Sequence, residues 1–185
     1  MIRINDLTFS FENKPILKNF NMTAEDNSIT CIVGKSGIGK STIVDLICGL
    51  KKPESGTVTV EGDKISVVFQ EDRLLPWLSV KDNVKCVSDE KTAEYWLSRV
   101  GLADSAELTP NELSGGMKRR TALARALAYD GGVLILDEPF YGVDDETKSV
   151  LIDVIKQQAK SKTVILITHN KEEIAELSDK IVALD

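Results

Sequence analysis

Aromatic residues make up only 5% of this 185-residue sequence, cysteine occurs three times and histidine once. The cysteines, Cys31, Cys48 and Cys86, are odd in number and widely spaced, which argues against a disulfide framework or a C-x-x-C metal site. Cys31 and Cys48 sit inside apolar runs and read as small buried hydrophobes. No apolar run approaches the ~20 residues needed to span a bilayer. The start, Met1-Ile2-Arg3-Ile4-Asn5-Asp6, lacks the long apolar core of a signal peptide, so the expected place is the cytoplasm, peripheral on a membrane only through a partner. Positive charge is also scarce. A net charge of −6 opposes non-specific binding to nucleic acid or anionic lipid, and no nucleic-acid partner is expected. The one basic cluster, Lys118-Arg119-Arg120, reads as a solvated helix face or a local phosphate or carboxylate partner. With 42% apolar and 28% charged residues, the composition is that of an ordinary globular protein. The length suits one core with, at most, a small subdomain.

The stretch that organises the rest is Gly34-Lys35-Ser36-Gly37-Ile38-Gly39-Lys40-Ser41-Thr42, which fits the phosphate-loop pattern G-x-x-x-x-G-K-[ST]. Its context fits as well: Ile29 to Val33 reads as a strand and Thr42 to Leu50 as a helix. Triphosphate oxygens need many donors at close range. Glycines let the backbone approach, consecutive N–H groups form a concave nest, and the helix start adds its dipole. Lys40 is expected to reach the β- and γ-phosphates and Ser41 to place its hydroxyl on Mg²⁺.

Upstream, residues 2–24 read as two antiparallel strands around the turn Asn13-Lys14-Pro15. Phe11 is either a ring that stacks on a nucleotide base or a strand aromatic packed on the core. Downstream, Thr57 to Val60 and Ile65 to Phe69 read as a hairpin around Glu61-Gly62-Asp63-Lys64. From Glu71 to about Asn111 strands vanish and weak helical patterns replace them, which predicts a small helical subdomain. Ser114-Gly115-Gly116 then caps a helix running to about Tyr129 and is a second candidate anion site. Val133 to Asp137 is a buried strand that delivers Asp137 and Glu138 at the sheet edge where open α/β folds bind ligands. Asp144-Asp145 caps a helix with Val150, Leu151, Val154 and Ile155 on one face. Thr163 to Thr168 is a buried strand ending at His169, Asn170 with Glu173 matches a capping box, and Ile181 to Leu184 closes the chain as a strand.

In this order the phosphate loop, Gln70, Leu113-Ser114-Gly115-Gly116, Leu136-Asp137-Glu138-Pro139, Asp144 and His169 resemble the motifs of the nucleotide-binding subunits of ABC transporters, over nearly the whole chain. The resemblance implies an α/β fold: a P-loop NTPase core with a mostly parallel sheet flanked by helices, an N-terminal antiparallel β subdomain and a small helical subdomain. It implies a single ABC-type ATPase domain over 1–185, with the antiparallel region, phosphate loop and first helix in 1–70, the helical subdomain in 71–113, and the signature helix, Asp-Glu strand and histidine in 114–185. It also implies roles. Asp137 would hold Mg²⁺ with Ser41 and Gln70, and Glu138 would be the general base. His169 would touch the γ-phosphate, and Gln70 would sense Mg²⁺ and the attacking water. Ser114, Gly115 and Gly116 would meet ATP across a head-to-tail homodimer, and Asp144 would be a further nucleotide-binding residue.

The stretch Gln70-Glu71-Asp72-Arg73-Leu74-Leu75-Pro76-Trp77, with Leu-Ser-Gly-Gly-Met and Asp-Glu-Pro-Phe, is similar to the nitrate, sulfonate and taurine importer branch. Leu74-Leu75-Pro76-Trp77 either docks a short helix of a membrane permease or fills the subdomain core. The implied function is an ATPase that powers import through that permease, with an extracellular substrate-binding protein in the same system. The alternative is a soluble ABC-type ATPase of an assembly process. Three departures from the family pattern stand out: Met117 where Gln is usual, a short segment between Gln70 and Ser114, and an end at Asp185 soon after the last strand, read as the absence of a regulatory C-terminal domain.

Overall fold

Near-continuous apolar runs in three strands set the architecture. In the computed structural model, which describes residues 1–62 and 64–184, β3 (Ser28–Gly34), β6 (Val133–Asp137) and β7 (Thr163–Ile167) are buried on both faces. Cys31, Leu134, Leu136, Val164 and Leu166 enter one core; Ile32, Val133, Ile135, Ile165 and Ile167 enter the other. A strand whose neighbours point to opposite faces can be apolar throughout only if both faces are covered. The sheet is accordingly parallel, in the order β5-β6-β7-β3-β8, with β5 (Ile65–Val68) and β8 (Lys180–Leu184) at its edges.

On one side lie α4 (Gly115–Tyr129), α5 (Asp145–Ala159) and the helices α2 (Val80–Lys85) and α3 (Glu90–Arg99), whose buried residues share a core with Leu134 and Leu166. On the other side lie α1 (Lys40–Ile47) and a three-stranded antiparallel sheet of order β2-β1-β4, formed by β1 (Ile2–Phe11), β2 (Lys14–Ala24) and β4 (Ser55–Val60). A short helix, α6 (Lys171–Leu177), connects β7 to β8.

The expected hairpin of residues 57–69 does not form. β4 pairs antiparallel with β1, while β5 joins the parallel sheet beside β6. The expected turn residue Asp63 lies outside the described residues, as does Asp185. The physical reason is burial. Strand β4 is exposed or half-buried along its length, as suits an edge of the small sheet, whereas Val68 is almost fully buried and needs cover on both faces. Three smaller expectations are also corrected. Leu50 lies beyond the end of α1 and is 59% exposed, because Gly49 in a left-handed conformation (φ 69°) has already turned the chain. On α5 the buried face takes Ile152 rather than Val150, which is half exposed. At α6 the Asn170 side chain accepts from the N–H of Glu172 and Glu173, but the Glu173 carboxylate turns inward to Thr168 and Lys148, so only half of the capping box exists.

Candidate functional site

The C-terminal ends of β3, β6 and β7 open into one cleft of about 980 Å³. The phosphate loop forms one wall: Gly34, Lys35, Ser36, Gly37, Gly39, Lys40, Ser41 and Thr42 line it, while Ile38 of the same loop does not. Gly39 shows why the loop needs glycine. Its φ is 119°, and a Cβ there would stand 2.7 Å from Ile16 Cγ2, so any side chain would both strain the backbone and strike β2. The helix starts at once, with Lys40, Ser41 and Thr42 in its first turn, which aims their free N–H groups into the cleft. The Lys40 ammonium donates to the carbonyls of Gly34 (2.8 Å) and Lys35 (2.9 Å), folded over the loop it would share with phosphate oxygens.

Strand β6 supplies the carboxylates. Asp137 is 4% exposed and accepts a hydrogen bond from Ser41 Oγ at 2.9 Å. Burial pushes its carboxyl above the usual range, and the Ser41 contact works against that rise. Glu138 follows in a left-handed conformation (φ 52°), which swings its side chain out of the strand and into the cleft. Its backbone stays tied down, with the Glu138 N–H on Ile167 O and the Tyr141 N–H on Glu138 O. Strand β7 then brings His169, whose Nδ1 lies 2.8 Å from Glu138 Oε1. Hydrogen bonding to Glu138, and then its charge, raise the His169 pKa. The ring is otherwise open, with a side-chain exposure of 77%. Thus a cation, a hydroxyl, two carboxylates and an imidazole from distant parts of the chain converge on one concave wall.

Gln70, just past β5, also lines the cleft. Several other expected residues do not. Ser114 caps α4 by accepting from the Met117 N–H at 3.2 Å, and neither it nor Gly115 nor Gly116 reaches the cleft. Asp144 caps α5 through the Thr147 N–H at 2.9 Å, a contact that lowers its pKa, and it too stands outside. Phe11 is 56% exposed at the end of β1 and is not part of the wall; Ile16 on the facing strand is. Sequence reasoning missed three lining residues: Ile16, Arg119 and Tyr141. Tyr141 carried a signal, a large aromatic just beyond Asp-Glu-Pro-Phe. Of the two readings of the Lys118-Arg119-Arg120 cluster, Arg119 takes the second: it is 4% exposed, not solvated, and its Nε stands 3.3 Å from the Asp72 carboxylate.

The oxygen donors Ser41 Oγ and Asp137 Oδ2, with the Gln70 amide in the same cleft, match the hard-ligand chemistry of Mg²⁺. Among the described residues no group of three or more His, Cys, Asp or Glu side chains is placed to hold a metal.

Away from the cleft, the loop before α2 is also built. The buried Asn83 amide accepts from the Leu75 N–H (2.8 Å) and donates to the carbonyls of Leu75, Leu78 and Ser79. Leu74 packs on the core, while Trp77 is held outward at 74% exposure. The core-filling reading of this apolar stretch therefore holds for Leu74 and not for Trp77. None of the described helices is long and apolar enough to cross a membrane.

Comparison with known proteins agrees with this geometry. The family model described as ABC transporter matches residues 17–141. The nitrate import ATP-binding protein NrtD of Synechocystis sp. is 40% identical over 99% of this chain and 77% of its own length. An aliphatic sulfonates import ATP-binding protein of Rhodococcus jostii is 38% identical over 94% of this chain and 75% of its own. Among solved structures, a dimeric ATP-binding cassette in a post-hydrolysis state, bound to ADP and phosphate, superposes with a TM-score of 0.91 at 28% identity. That match covers all of this chain and 94% of that one. On its motifs, its fold and these relatives together, the chain belongs to the ABC transporter family and has the fold of that family's ATP-binding cassette.

Proposed function

We propose that this chain is a single ATPase domain that binds and hydrolyses ATP to drive import through a separate membrane permease. The observation that carries the reading is the convergence of Lys40, the Ser41–Asp137 pair and the Glu138–His169 pair on one cleft, in a chain whose relatives are import ATP-binding proteins. The loop N–H groups and Lys40 bind the triphosphate. Ser41, Asp137 and Gln70 would hold Mg²⁺, which when bound neutralises phosphate charge. Glu138 takes the proton of the attacking water, and His169, its Nδ1 held by that carboxylate, presents the other ring nitrogen to the γ-phosphate. Phe11, exposed at the end of β1, would be the stacking surface for the base.

Ser114, Gly115, Gly116 and Asp144 stand outside their own chain's cleft, which suits contact with ATP held by a second copy in a head-to-tail homodimer. ATP closes that dimer and hydrolysis releases it. Trp77, exposed on the loop that Asn83 clamps, would face the permease, with the chain on the cytoplasmic side of the membrane. An extracellular binding protein and the permease choose the substrate; relatives named for nitrate, bicarbonate and sulfonates point to a small oxyanion. The test is affinity capture of the tagged chain from detergent-solubilised membranes of its own host, followed by mass spectrometry. Recovery of a polytopic membrane protein, lost on changing Trp77 and Leu75 to polar residues, supports the reading. Reproducible recovery of soluble partners alone would overturn it in favour of an assembly-type ATPase.

A further inference from the structure

Helix α4 leaves the Ser114 cap and runs under the segment that carries Gln70, and it does so with three arginines. Arg119 donates from one terminal nitrogen to Phe69 O (2.6 Å) and from the other to Gln70 O (2.5 Å). Arg125, further along, forks onto Asp72 O (3.1 Å) and Arg73 O (3.0 Å). Arg120 turns the other way, with one nitrogen on Val100 O and Gly101 O at 2.9 Å each, beyond the end of α3. Four of the five carbonyls from Phe69 to Arg73 are therefore held by α4, not by the sheet that the chain has just left. Arg119 is the critical member. It is almost fully buried, it lines the cleft beside Gln70, and its Nε stands 3.3 Å from the half-buried Asp72 carboxylate, an ion pair without an aligned hydrogen bond.

We propose that Arg119 is a positioning residue for hydrolysis: it sets the backbone of Gln70, and so the reach of the Gln70 amide into the cleft, according to where α4 stands. Its planar fork holds two successive carbonyls from two nitrogens in one fixed geometry, whereas an ammonium is a single point charge on a flexible stem. Arg119 lies five residues after Ser114, ~7.5 Å along a rigid helix. A displacement of the Ser114 end is thus transmitted to Gln70 through two charge-assisted hydrogen bonds. The proposal rests on the reading of Gln70 as part of the hydrolytic machinery, and the experiment separates the two.

ATP turnover of the full chain is measured for R119Q and R119K, each alone and combined with Q70A. Nucleotide binding without Mg²⁺ and thermal unfolding are followed in parallel. Because R119Q leaves Asp72 unpaired, the charge-balanced double variant R119Q/D72N is carried alongside to separate misfolding from mispositioning. In the Gln70 background, R119Q is expected to lower kcat about tenfold with KM for ATP within about twofold, and R119K to recover only part of the loss. With Q70A, the same substitution should lower kcat by no more than about twofold further, since its route of action is already gone. A full additional loss in the Q70A background, or wild-type kcat in folded R119Q/D72N, would overturn the proposal. Wild-type turnover in Q70A alone would instead remove Gln70 from the machinery, and this inference with it.

Discussion

At the residue scale the cleft is governed by two short contacts between groups that repel or starve each other without help. Asp137 is buried beside Glu138, and Ser41 offsets part of that cost by donating to it. Glu138 would leave a second carboxylate beside it, and His169 accepts the role of partner. The sign of the His169 shift follows from this contact. A carboxylate at 2.8 Å favours the imidazolium, so the folded-state pKa lies above the ordinary histidine value. The stabilisation it provides is complete below that ordinary value and is lost as pH rises through the raised one. As this is the only histidine, its ring signal is isolated in an NMR titration. We expect a midpoint above that of an unstructured histidine, falling back toward it in Glu138→Gln. An unchanged midpoint in that variant would mean that the 2.8 Å contact does not persist in solution.

At the element scale, α4 does more than its sequence announces. Its start abuts the turn after Glu138: a Cβ on Gly116 would lie 2.2 Å from Gly142 O and 3.0 Å from Gly142 C. Those are backbone atoms and cannot rotate away. Gly116→Ala is therefore expected to destabilise the fold by about 1–3 kcal/mol, through overpacking rather than helix propensity, which would favour alanine. Equilibrium urea unfolding measures this, with a lower midpoint at unchanged slope as the expected result. If alanine proved neutral or stabilising, the close approach of α4 to the Glu138 turn would have to be abandoned. The same approach explains why Gly116 is a glycine, a feature that from sequence alone reads equally well as part of a bare anion site; it does not explain Gly115, where a Cβ would meet nothing within 4 Å.

On the scale of the whole molecule, the phosphate loop, Asp137, Glu138 and His169 line one cleft, and Ser114, Gly115 and Gly116 stand outside it. Glu138→Gln keeps the size and most hydrogen bonding of the side chain but cannot accept a proton. We expect ATP binding to be retained, kcat to fall about 10²–10⁴-fold, and the protein to elute as a dimer when ATP and Mg²⁺ are present, by size-exclusion chromatography with light scattering. A variant that hydrolyses ATP at the normal rate would remove Glu138 from the role of base. One that stays monomeric with ATP bound would instead count against the shared-site dimer.

Much of this was determined by local sequence. The phosphate loop, the doubly buried strands of β3, β6 and β7, the capped starts of α4 and α5 and the strand-end acids are encoded by spacing, apolar alternation and cap chemistry within a few residues, so they are legible without a partner segment. The tertiary structure decided what depends on residues far apart in the chain. Whether β4 pairs with β5 or with β1 turns on which faces other elements cover, not on the turn between them. Lys118-Arg119-Arg120 is a run of like charge in one dimension, yet the helix sends Arg119 inward to the carbonyls of residues 69 and 70, because those acceptors, leaving the sheet, have no strand N–H to donate to them.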